Sequence, residues 1–189
     1  MHAAQAKEAL RRKMRDQLTA MAPEDLAARS LLLGDVLRNG GWLEAGATVA
    51  LFGGIPGEPD LLSLIPWLLE RQSVPVIFGF KNGQLIPQRI NDPKELHRGI
   101  FGVWIPPADA AIVPVAQLDV ILTPGLAFSR DGMRLGRGRG HFDRLFAQPE
   151  VTATRLGVCW NFQLVQEVPS EIHDARMQSV MTEYGLVTA

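Results

Sequence analysis

Apolar residues recur at helical spacing from the start of the chain. Leu10, Met14, Leu18 and Met21 stand four, four and three apart, which predicts a helix over residues 4–21 with one apolar stripe. Lys7, Arg11 and Arg15 run beside it as a cationic flank, read from spacing alone as solvated; the weaker alternative for so acid-poor a start is an organelle transit peptide. A second helix is predicted from Pro23 to Arg38, stopped by Asn39-Gly40-Gly41. Beyond it the period changes. Thr48–Phe52 is a short apolar run that breaks into Gly53-Gly54-Ile55-Pro56-Gly57, and Pro59 is expected to open a helix through Leu69. Val74–Phe80 reads as a strand, with Asn82-Gly83 suited to a type I′ turn into Gln84-Leu85-Ile86. Asp119–Thr123, Arg155–Trp160, Ser179–Thr182 and Gly185–Val187 complete the strands, and His141–Ala147 is a short helix. Residues 88–117, with four prolines, form a long irregular stretch. Apolar runs alternating with helices predict one α/β domain over residues 1–189, built on a mostly parallel sheet covered on both faces.

Composition adds bounds. A chain of 189 residues, 47% hydrophobic and 21% charged, suffices for one buried core without cross-links. The single cysteine, Cys159, excludes an intramolecular disulfide and a cysteine-based zinc site; within an apolar strand it reads as a core thiol. The apolar stretch 61–69 is interrupted by Ser63 and Pro66 and falls short of the ~20 residues that span a bilayer. The expectation is a soluble cytoplasmic protein without a membrane partner. The formal net charge of −1 hides two basic segments: five cations against one acid in residues 1–15, and five arginines against two aspartates in residues 130–144. Two separated clusters in a neutral chain point to a local anion site and away from a nucleic-acid surface.

The second cluster carries the chemistry. In Arg134-Leu-Gly-Arg-Gly-Arg-Gly-His-Phe-Asp143, Gly136, Gly138 and Gly140 alternate with Arg137 and Arg139 just ahead of the short helix. Glycines let backbone N–H groups turn toward an anion, and arginines make bidentate phosphate contacts. The spacing is neither a dinucleotide fingerprint, since His141 stands where its third glycine would fall, nor a P-loop, which needs Gly-Lys-Ser/Thr. The plain alternative is a flexible Gly/Arg loop. Asp143 beside bound phosphates suits a Mg²⁺ ligand, but taken alone it reads first as a first-turn acid complementing the helix dipole.

This loop resembles the signature of the 5-formyltetrahydrofolate cyclo-ligase family, Pro-Gly-x-x-Phe-Asp-x-x-Gly-x-Arg-Leu-Gly-x-Gly-x-Gly-Tyr-Tyr-Asp. The resemblance extends along the chain through Lys7-x-x-Leu10-Arg11, Glu58-x-Asp60, Gly157–Gln163, Pro169-x-Glu171-x-His173-Asp174 and Thr182-Glu183. It implies a three-layer α/β/α sandwich similar to sugar-phosphate isomerases and CoA transferases. The implied activity is ATP- and Mg²⁺-dependent closure of 5-formyltetrahydrofolate to 5,10-methenyltetrahydrofolate, with release of ADP and phosphate. By the same resemblance Lys7, Arg11, Arg134, Gly136, Arg137, Gly138, Arg139 and Gly140 hold ATP, Arg137 and Arg139 act in catalysis, and Asp143 and Asp174 bind Mg²⁺. Phe52, Glu58, Arg137 and His141 line the folate side. The substrate's own formyl oxygen and N10 do the bond making, so no protein nucleophile is expected.

This chain differs from the family pattern at His141 and Phe142, where the family has paired tyrosines, at Ser129 in place of aspartate, and at Ile105 in place of a glutamate or glutamine. The changes gather near the expected second substrate. Three further readings stay open: a paralogue for another carboxylate- or formyl-bearing substrate, a nucleotide-binding module without catalysis, and, by fold analogy alone, a sugar-phosphate isomerase. His141 is expected to titrate near neutrality.

Overall fold

The computed structural model describes residues 3–171 and 174–188; His173 of the C-terminal pattern lies outside them. Two helices open the chain, α1 (Ala3–Thr19) and α2 (Pro23–Asn39). Then come β1 (Thr48–Leu51), α3 (Leu64–Glu70), β2 (Val74–Lys81) and β3 (Gln84–Arg89). A small ribbon, β4 (His97–Arg98) with β5 (Trp104–Ile105), lies within the irregular stretch and is followed by β6 (Val120–Pro124). The glycine-arginine segment lies between β7 (Ala127–Ser129), β8 (Arg134–Leu135) and α4 (His141–Phe146). The chain closes with β9 (Thr154–Val158), β10 (Leu164–Val165), β11 (Ser179–Thr182) and β12 (Gly185–Thr188).

Seven strands form the main sheet in the order β12-β11-β9-β6-β1-β2-β3. The five inner strands are parallel and both edge strands antiparallel, so the expected mostly parallel α/β sheet is present. Alternation along the strands sorts the core. Val49, Leu51, Ile77 and Leu122 join Met14, Leu18, Leu33, Leu37, Leu64 and Leu68 from α1, α2 and α3. Ala50, Val76, Phe78 and Ile121 point the other way, toward Leu145 of α4 and the irregular chain at Val113 and Leu118. The second layer is thus thin, one six-residue helix and loops. A smaller group of strands, β10-β7-β8, stands beside the main sheet and supports the glycine-arginine loop.

The structure changes two sequence expectations. The helix anticipated from Pro59 begins at Leu64. Asp60 diverts the chain: its carboxylate accepts the Leu62 N–H at 2.9 Å and its own N–H donates to Ser30 Oγ at 3.1 Å, a side-chain turn that competes with helix. Lys7 is not on a solvated flank. It is 7% exposed and its ammonium meets Glu171 and Asp174, both at 2.7 Å. Arg15 does keep the exposed position read for it, with Glu8 as its partner at 3.2 Å. The Asn82-Gly83 turn follows expectation, with φ of 51° and 81° at its two central residues.

Candidate active site

Strand order reverses between β1 and β6: from β1 the chain steps to β2 on one side, then returns to place β6 on the other. Open α/β sheets bind ligands beyond the carboxyl ends of strands at such a point. Here those ends carry Phe52-Gly53-Gly54 and Pro124-Gly125, and a cleft of about 270 Å³ opens over residues 53–61 with Arg98 and Trp104 as its far wall. Gly53 is required by close approach. A Cβ there would lie 1.9 Å from the Trp104 carbonyl oxygen, and the Trp104 N–H donates to the Gly53 carbonyl at 3.0 Å. The β4–β5 ribbon is thereby tied over the cleft, with Arg98 stacked 3.9 Å above the Trp104 ring.

Glu58 and Arg137 meet across this opening. Arg137 Nε donates to Glu58 Oε1 at 2.9 Å, and Glu58 Oε2 accepts the Ile55 N–H at 3.2 Å. Burial pushes the Glu58 carboxyl up, and the Arg137 guanidinium offsets only part of that, so its pKa stays above the ordinary 4.5.

The loop following β8 has the conformation its glycines permit, with φ of 101° at Gly138 and 63° at Gly140. Arg134 anchors its base. This buried guanidinium donates to the Pro124 carbonyl at 3.2 Å and to Asp143 Oδ1 at 2.9 Å, while its Nε has no partner. Arg11 reaches from α1 to the Gly136 carbonyl at 3.1 Å, which brings the first basic segment to the second. Arg139 is exposed and stacks 5.9 Å from Phe101, at the tip of the ribbon. Phe101 is itself exposed and holds a φ of 64°, rare for a bulky side chain.

Lys7 ties α1 to the C-terminal segment through Glu171 and Asp174. Burial pushes its pKa down, but hydrogen bonds to Asp174 and Glu171 outweigh that and hold it above 10.5. Asp174 also accepts the Glu171 N–H at 2.7 Å. Asp143 and Asp174 are therefore held by different cations, and among the described residues no three His, Cys, Asp or Glu side chains gather as a metal cage. The donor set fits Mg²⁺ of the kind held mainly by phosphate oxygens and water. Asp143 supplies a carboxylate at the loop with one oxygen fixed by Arg134.

The remaining candidates sit at the edges. Phe52 is buried in the helix-side core, directly before Gly53. His141 packs edge-on against Phe80 at 4.7 Å and its Nδ1 is 2.7 Å from Arg144. Burial first, then the Arg144 and Arg139 charges, hold its imidazole below the usual histidine range. Phe142 packs against Phe78 at 5.8 Å. The Ser129 hydroxyl donates to Asp131, so a carboxylate stands two residues beyond the family position.

A model of the 5-formyltetrahydrofolate cyclo-ligase family matches residues 3–183. This chain belongs to that family. A 5-formyltetrahydrofolate cyclo-ligase of Mycolicibacterium smegmatis is 34% identical over 152 residues, 75% of this chain and 78% of that protein. The Escherichia coli protein of the same name is 33% identical over 140 residues, 71% of this chain and 77% of its own length. Among solved structures, the Aquifex aeolicus 5,10-methenyltetrahydrofolate synthetase superposes with a TM-score of 0.84 at 27% identity, covering 96% of this chain and 92% of that one. The family relation read from the glycine-arginine loop is thus borne out, and so is the fold class. Among the described residues no helix is long and apolar enough to cross a membrane.

Sequence reasoning missed the role of residues 159–163. Trp160 and Gln163 are fully buried, and their side chains bond to the turns that carry the site. A tryptophan and a glutamine three residues apart at a strand end give no local signal for that, because both partners are backbone carbonyls far away in sequence.

Proposed function

We propose that this cyclo-ligase family member closes 5-formyltetrahydrofolate to 5,10-methenyltetrahydrofolate at the expense of MgATP, releasing ADP and phosphate. The observation that carries this reading is the Arg137–Glu58 pair at the strand switch point, where a phosphate-loop cation meets a buried carboxylate of the opposite wall. The formyl oxygen attacks the γ-phosphorus and ADP leaves. N10 then adds to the former formyl carbon, the phosphorylated oxygen departs as phosphate, and the N10 proton passes to solvent. Neither step needs a protein nucleophile, and the protein's work is to position reactants and to stabilise charge on the transferring phosphoryl group.

In this reading Lys7, Arg11, Arg134 and the amides of Gly136, Gly138 and Gly140 orient the ATP phosphates. Arg137 and Arg139 stabilise the transferring group. Glu58 accepts hydrogen bonds from pterin N–H groups, with Phe52 and His141 bounding the folate from opposite faces of the sheet end. Asp143, with Asp174 as a second carboxylate, would hold Mg²⁺, which would supply positive charge to the phosphates. No nucleic acid or membrane enters this reading, and the cytoplasm supplies both substrates.

The test is spectrophotometric formation of methenyltetrahydrofolate from 5-formyltetrahydrofolate with MgATP. Product that requires all three components supports the reading; none, from folded protein, overturns it. The packing of Phe142 at a tyrosine position of the family favours one second reading, a nucleotide-binding relative without this turnover. It predicts ATP binding with no ADP release over a panel of reduced folates.

A further inference from the structure

We propose that Trp160 and Gln163 are positioning residues: together they form a strut that fixes the separation of the two walls of the site. The sheet order sets the ends of β9, β6 and β1 side by side, and the pairing of Pro124 with Val158 brings Cys159 and Trp160 just past the sheet beside Gly125. From there the Trp160 indole N–H reaches past the end of β6 and donates to the Gly57 carbonyl at 2.8 Å, one residue before Glu58. The Trp160 backbone N–H donates to Gln163 Oε1 at 2.8 Å. Gln163 Nε2 donates to the carbonyls of Gly125 at 2.9 Å and Leu126 at 3.0 Å. Pro124, next in that same turn, gives its carbonyl to Arg134.

One buried unit thus grips both the turn that carries Glu58 and the turn against which Arg134 and the phosphate loop rest. Gln163 is 1% exposed and uses its oxygen and its amide nitrogen within the strut. A buried amide spent in this way is costly to disturb, because each carbonyl it releases is left without a partner. The Gly57 turn closes on itself through the Glu58 N–H to the Ile55 carbonyl at 2.9 Å, and the indole is what ties that closed turn to the strut. Gly54 and Gly57 both have positive φ, and the Glu58 side chain is held by the Ile55 amide and Arg137. Loss of the indole donor should therefore let Glu58 drift relative to Arg137, while loss of the Gln163 donors should loosen the phosphate side. Reactant misplacement of about 1 Å costs as much as 10²-fold in rate.

The kinetic part of this inference rests on the cyclo-ligase reading; the structural part does not, and the experiment separates them. Amide hydrogen exchange is compared in wild-type protein, Trp160→Phe and Gln163→Glu. Trp160→Phe should speed exchange over residues 54–60, and Gln163→Glu, which keeps the acceptor for Trp160 but sets a carboxylate against two carbonyls, should do so over residues 125–127. In turnover assays Trp160→Phe should raise the folate KM about tenfold, the worth of one hydrogen bond, with the ATP KM unchanged. Gln163→Glu should instead lower kcat about tenfold or more. A Trp160→Phe protein with lower Tm but unchanged folate KM and unchanged exchange over 54–60 makes Trp160 a core residue only and overturns the proposal. An equal rise in both KM values also overturns it, as general loosening. If Trp160→Phe does not fold, Gln163→Glu carries the same decision through residues 125–127. Absent turnover in wild-type protein would sink the cyclo-ligase reading alone, leaving exchange to decide the strut.

Discussion

At the scale of single residues, the site is built from cations that each hold an acid: Arg137 with Glu58, Arg134 with Asp143, Lys7 with Glu171 and Asp174. The Arg137 pair is the most informative because its carboxylate is poorly served by it. With its folded pKa raised, Glu58 binds its proton more tightly in the folded protein than in the unfolded chain. Stability is then lost as pH rises from the ordinary glutamate value through the folded one, and the full penalty stands above it. Glu58→Gln removes that term, so the Tm of wild-type protein should fall relative to Glu58→Gln as pH is raised from about 4 toward 8. Parallel Tm profiles would contradict a strained carboxylate. Arg137→Ala tests the other half of the pair. If its guanidinium acts on the transferring phosphoryl group, turnover should fall roughly 10²- to 10³-fold while the protein stays folded; an unchanged kcat in folded protein removes Arg137 from the catalytic set.

At the scale of elements, α1 is attached to the site by side chains that its own periodicity does not reveal. The stripe of Leu10, Met14 and Leu18 was legible and packs as expected against the core. The adjacent cationic stripe was also legible, but its meaning was not, because the partners of Lys7 lie more than 160 residues away. Spacing encodes which residues share a face; it does not encode what that face meets. The late start of α3 has a similar cause, a side-chain turn at Asp60 that overrides the helix-opening value of Pro59. Lys7→Met cuts the tie between α1 and the C-terminal segment and takes the ammonium away from Asp174. Hydrogen bonds to charged groups are worth about 1.5–3 kcal/mol, so Tm should fall by several degrees and amides of α1 should exchange faster. Equal exchange in α1 with and without the lysine would show the helix to be held by its apolar stripe alone.

At the scale of the molecule, two basic segments far apart in sequence meet where Arg11 of α1 reaches the Gly136 carbonyl, beside the strand ends whose order reverses between β1 and β6. The glycine-arginine loop and the strand pattern were readable from local spacing, and family resemblance joined them to Lys7, Arg11 and Glu58. The β4–β5 ribbon over the cleft and the buried strut were not readable, since both depend on backbone carbonyls meeting across the sheet end. This arrangement also constrains the proposed metal. Asp143 neutralises the buried Arg134, and in the proposed reaction the same carboxylate would also meet Mg²⁺. Asp143→Asn should therefore act twice. Without ligand, Arg134 is left as a buried guanidinium without an anion, and Tm should drop. With ligand, a nucleotide at about 100 times its Kd adds roughly 2.7 kcal/mol to wild-type stability, visible as a rise in Tm with MgATP. In the Asp143→Asn variant that rise should shrink and require more Mg²⁺, while the rise produced by 5-formyltetrahydrofolate alone persists, because Glu58 and the Gly57 turn are untouched. Asp174→Asn should weaken the MgATP rise with a smaller drop in basal Tm, since Lys7 keeps Glu171. A full MgATP-dependent rise in the Asp143→Asn protein would show that this carboxylate serves Arg134 and no metal.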